Sequence, residues 1–94
     1  MTLPRVSEEM KRFASLLSEE VLLWPGVTAR PMFGLRAFYR GGAIFALLPE
    51  KRAPEKANAI AYKLAKWRIL EVRGEGDLKA ALGWLERAYG KAGG

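Results

Sequence analysis

Rings and cations interleave between positions 30 and 45: Arg30, Phe33, Arg36, Phe38, Tyr39, Arg40 and Phe45. Such a mixture suits a single-strand nucleic-acid platform, with bases stacked on rings and phosphates neutralised by cations. Side chains of a strand alternate between faces, so Arg36, Phe38 and Arg40 share one face, while Leu35, Ala37 and Tyr39 share the other. Lys51, Arg52, Lys63, Lys66 and Arg68 extend the cationic set and complete the candidate anion or nucleic-acid contacts. The stronger reading is structural. A small domain needs large apolar side chains, and Met32, Phe33 and Phe45 are the natural filling of its core, with the arginines as solvated rims. No RNA-binding signature of the K/R-G-F/Y-G/A-F-V type occurs.

Catalytic chemistry has little to work with. Cysteine and histidine are both absent, which excludes thiol and imidazole nucleophiles, disulfides, and zinc sites built on those ligands. The one aspartate, Asp77, is best used as a helix cap. Glu8-Glu9 and Glu19-Glu20 are neighbours on helices, so each pair diverges instead of sharing a proton. Ser7, Ser15 and Ser18 have no histidine to activate them. Gly74-Glu75-Gly76-Asp77 precedes a helix as phosphate loops do, but it lacks the lysine and its acids repel phosphate. The expectation is a non-enzymatic protein with no catalytic residue, cofactor or metal.

Charge narrows the class of partner. The net charge is +6, and residues 51–73 carry seven cations and two anions, a local excess of +5. A basic segment attracts nucleic acid or another acidic partner, although a charge run is more often a solvated face. A protein partner, as yet unknown, is the favoured expectation and nucleic acid the alternative. Proline and charge occupy the N-terminal region where a signal peptide has its apolar core, and no apolar window reaches about 18 residues, so no membrane role and a cytoplasmic location are expected. Glutamine is absent and Asn58 is the only asparagine, a depletion that fits a heat-adapted source. Three tryptophans and four phenylalanines are many for one small core, which favours an exposed apolar patch or sheet edge and a homodimer.

These side chains need positioning elements, and 94 residues supply one domain. Met10, Phe13, Ala14, Leu17, Val21 and Trp24 form one stripe and predict a helix over 7–24, with Ser7 as N-cap and Pro25-Gly26 as the stop. Leu78, Ala81, Leu82, Leu85, Ala88 and Tyr89 predict a second helix over 77–90, capped by Asp77 and closed by Gly90. Gly83 weakens that helix, which would suit a backbone passing close by. Between the helices the rhythm shortens to strands at 27–33, 35–40, 43–48 and 67–73. Arg40-Gly41-Gly42-Ala43 is a hairpin signal, and the apolar run Ala43–Leu48 reads as the central strand. Residues 54–66 stay open: Ile60, Tyr62 and Leu64 alternate as a strand would, but the alanine content favours helix. Phe13, Leu17, Phe45, Leu47, Leu82 and Leu85 are the expected core.

Arg30-Pro31-Met32-Phe33-Gly34, then Phe38-Tyr39-Arg40-Gly41-Gly42, then Ile44-Phe45-Ala46-Leu47 resemble the N-terminal domain of the TfoX (Sxy) competence-regulator family. The likeness continues more loosely through Ala61-Tyr62-Lys63-Leu64 and Leu70-Glu71-Val72. The chain departs where the family has further glycines, at Leu35 and Ala37, and in a longer 49–58 loop. It resembles a stand-alone form without the TfoX C-terminal domain, so a competence role is not implied. What the resemblance implies is an α+β fold, an antiparallel sheet of about five strands flanked by terminal helices, in which 59–64 is a strand. It also implies a regulatory or interaction module without catalytic residues. Met32, Phe33, Gly34, Gly41 and Gly42 are then structural, with Met32-Phe33-Gly34 as a sheet corner.

Overall fold

Ser7 starts the first helix, α1 (Glu8–Val21): its hydroxyl accepts a hydrogen bond from the Met10 N–H at 3.1 Å, and Glu8 and Glu9 face the positive end of the helix dipole. The structure, a computed structural model, describes residues 3–94. Five strands follow: β1 (Val27–Met32), β2 (Leu35–Arg40), β3 (Ala43–Pro49), β4 (Ala59–Lys63) and β5 (Trp67–Glu71). A 3-10 turn (Glu75–Asp77) leads into the second helix, α2 (Leu78–Gly93). The strands form one antiparallel sheet in chain order, so the fold is α+β.

Residues 54–66 contain a strand, not a helix. Pairing with β3 and β5 overrides the helix propensity of the alanines, which are small enough to sit fully buried at Ala59 and Ala61. Both glycine turns are left-handed at each central position: Gly41 and Gly42 have φ of 55° and 90°, and Phe33 and Gly34 have 53° and 80°. That is the turn a tight hairpin needs.

Helix ends differ from expectation. α1 stops at Val21 and a turn carries Trp24 back against Tyr89, with ring centroids 5.2 Å apart. Asp77 makes no side-chain cap; its Oδ2 accepts the Arg73 N–H at 2.9 Å instead and ties down the loop after β5. Gly90 does not end α2, which runs to Gly93, and among the described residues nothing beyond Gly83's own helical turns comes within 4 Å of the space its side chain would fill.

One face of the sheet is covered. Across the strands, Ala29, Phe38, Ala46 and Tyr62 stand in register, followed by Pro31, Arg36 and Leu48, then Ile60 with Leu70. Phe38, Ala46, Leu48, Ile60 and Tyr62 join Met10, Phe13, Leu17 and Val21 of α1 and Ala81, Leu85 and Ala88 of α2 in one core. Register slips between Phe38 and Tyr39, leaving Phe45 as an extra residue on β3. This bulge turns Phe45 and Ala46, adjacent in sequence, into the same core. Of the expected core, Phe13, Leu17, Phe45 and Leu85 are central and Leu82 packs at its margin. Leu47 lies on the opposite face of the sheet, because it pairs with Ala37 and Ala61 one step out of phase with Ala46.

Candidate functional site

Among the described residues, no helix packs on the other face. Its middle row is continuous across the sheet: Arg30, Ala37, Leu47, Ala61 and Ile69. Toward the Gly41-Gly42 turn, Thr28, Tyr39 and Ile44 stand in register on β1 to β3, and Lys63 pairs with Trp67 on β4 and β5. Lys63 and Ile44 line one shallow depression together with Lys91 and Ala92 of α2. The opposite end is closed off. There the loop after β3 folds back, with the N–H groups of Lys51 and Arg52 both donating to Gly34 O at 2.9 Å. What remains open is a surface of Tyr39, Ile44, Leu47, Ile69 and Trp67, among which Ala37 and Ala61 are buried. Trp67 is 41% and Ile69 36% exposed, values that ordinary core-facing strand residues do not keep.

The candidate contacts scatter. Phe38 is 0% exposed, so it cannot stack on a base; the face it shares with Arg36 and Arg40 is the covered one. Arg40 is committed to α2: its Nη1 donates to Tyr89 O at 3.0 Å and its guanidinium lies 4.0 Å from the Tyr89 ring centroid. There it meets the negative end of the helix and a ring together. Arg36 extends over the Phe38 ring into a groove shared with Lys11, Glu19 and Glu50. Arg52 donates to Leu3 O at 3.2 Å, and its stem fills the space a Gly34 side chain would need. Lys51 lies in the same loop, exposed beside Glu50. Arg68 is exposed on the edge strand, on the side of the sheet that carries the helices. Arg30 and Lys63 are exposed on the open face, and Lys66 is exposed in the turn joining β4 to β5.

The structural motif also divides. Gly34, Gly41 and Gly42 make the hairpin turns, and Met32 is half-buried on the open side. Phe33 fills no core. It projects from the β1–β2 turn with 84% of its surface exposed, in a left-handed conformation unusual for a bulky residue. Met32-Phe33-Gly34 is therefore a sheet corner, with its ring outside.

Charge follows the same polarity. Stretches 21–49, 57–70 and 87–94 meet at the end of the sheet near the Gly41-Gly42 turn and hold no acidic side chain. The other end mixes signs. Glu71 pairs with Lys56 at 3.6 Å and Arg73 at 3.2 Å, while Glu8 meets Lys11 at 3.4 Å. The basic run 51–73 is thus divided. Lys56 and Arg73 are paired with Glu71, and Lys51 and Arg52 lie in the loop after β3. Lys63 and Lys66 stand at the acid-free end of the open face, and Arg68 lies on the helix side.

Trp67, Tyr39, Ile44, Leu47, Ile69 and Lys91 are the residues that sequence reasoning did not assemble. Alternation in β5 puts Trp67 and Ile69 on one face, but nothing local tells which face the helices cover. Among the described residues, no helix is long and apolar enough to cross a membrane, and no cluster of acidic side chains has the makings of a metal site. No family model, curated protein or solved structure matches the chain.

Proposed function

We propose that the chain is a non-enzymatic binding module of the cytoplasm, an interaction or regulatory domain in the manner suggested by its likeness to the TfoX N-terminal domain. Its recognition surface is the uncovered sheet face. The observation that carries the reading is the exposure of Trp67 and Ile69 beside Tyr39, Ile44 and Leu47 on a face that neither helix covers. Leaving such a surface in water sacrifices hydrophobic stabilisation of about 25 cal/mol per Å2, and a binding partner recovers it.

The test is site-specific photocrosslinking in the producing cell. A photoreactive residue at Leu47 is expected to give discrete adducts, whereas the same group at Lys79, exposed on α2, gives none. Equal yields from the two positions would overturn the proposal. Digesting the adducts with protease or nuclease then identifies the class of partner.

A further inference from the structure

We infer that the occupant of the open face is single-stranded nucleic acid, stacked on Trp67 and Tyr39 and held through its phosphates by Arg30, Lys63, Lys66 and Lys91. This rests on the reading of that face as the recognition surface. The inference joins two features that meet only in the folded chain. Tyr39 and Trp67 stand at corresponding heights on β2 and β5, about 14 Å apart at the usual spacing of neighbouring strands. They would hold non-adjacent bases, with the half-buried Leu47 of β3 on the face between them. Arg30 and Lys63 flank these rings on the same face, and Lys66 and Lys91 stand at its uncompensated end. Glu71, the one carboxylate on the face, is engaged by Lys56 and Arg73 at the far end.

The alternatives fit less well. A second copy laid face to face would oppose two chains of +6 net charge, with lysines and arginines around both rims. The face also measures only about 20 by 17 Å, from strand spacing and rise, well short of the roughly 800 Å2 per partner of a stable protein complex. A duplex keeps its base faces stacked internally, where Trp67 and Tyr39 cannot reach them. Single strands present both the rings and the phosphates that this surface complements.

The test is fluorescence anisotropy on the whole chain with oligothymidylate and oligouridylate probes of about ten nucleotides, a matched duplex, and polyglutamate as a plain polyanion. Single strands are expected to bind more tightly than duplex or polyglutamate. Four phosphate contacts give a slope near −3 in log affinity against log salt, and Lys63→Ala with Lys66→Ala flatten it by about 1.4. Trp67→Ala weakens binding by about five- to 150-fold. Trp67→Phe keeps most of the affinity but removes the quenching of tryptophan emission, because Trp24 and Trp84 lie half-buried against Tyr89 and Tyr62. Trp67 is exposed at a sheet edge, so both variants should fold, which circular dichroism checks.

Affinities that follow charge alone, with polyglutamate and duplex matching the single strands and Trp67→Ala without effect, would overturn the inference. So would light scattering that shows a dimer made monomeric by Ile69→Glu, since a second copy would then occupy the face. Protein-only adducts from Leu47 would overturn the nucleic-acid assignment and leave the binding-module reading standing.

Discussion

The two faces of this sheet are built from the same five strands and have opposite fates. On the covered face, Phe38, Phe45, Leu48, Ile60 and Tyr62 disappear beneath α1 and α2. On the open face, residues of similar size at Tyr39, Ile44, Leu47, Ile69 and Trp67 stay partly in water. Apolar character therefore does not separate the faces. Coverage does, and coverage follows from where the terminal helices land. The covered face carries stability, and the open face is available for binding.

The sharpest way to break this comparison is to truncate one large residue on each face. Phe38→Ala removes a fully buried ring and should cost about 3–5 kcal/mol, enough to unfold many domains of this size. Ile69→Ala, on the open face, should cost less than about 1 kcal/mol. Chemical denaturation measures both. Equal losses would mean that the two faces are buried alike.

How much of this division was legible in the sequence depends on the residue. Strand periods, the double-glycine hairpin and both apolar helix stripes are local signals, and the elements they predict are present. The pairing of Arg36, Phe38 and Arg40 on one face was also legible. Its direction was not, because two arginines suggest solvent while the helices that cover this face come from distant parts of the chain. Arg40 reaches the carbonyl of Tyr89, 49 residues away, and Arg36 rests over Phe38 beside α1. Long cationic side chains can cross a covered face and still keep their heads near its rim. The same limit hid the open face, since Trp67 and Tyr39 come together only through pairings across four strands. The bulge at Phe45 could not be read from an uninterrupted apolar run.

A smaller effect lies at the hairpin where the two faces meet the loop. Gly34→Val combines a left-handed φ with a Cβ that would stand 2.7 Å from Arg52 Cγ. A loss of about 2 kcal/mol or more is expected from the thermal melt, and an unchanged melt would show that this turn relaxes freely. Its neighbour should respond with the opposite sign. Phe33→Asn replaces an exposed ring by a residue that tolerates the left-handed region, and stability should rise by about 0.5–1 kcal/mol. A loss on denaturation would mean that the Phe33 ring packs against the domain after all.

The central claim, that one face folds the protein while the other binds, is tested most directly by an amide NMR titration with oligothymidylate. Shifts are predicted at Tyr39, Leu47, Ala61, Lys63, Trp67 and Ile69, with α1 and the paired charges around Glu71 unmoved. Perturbations centred on α1 or on the Lys51–Lys56 loop, with the open face silent, would contradict it.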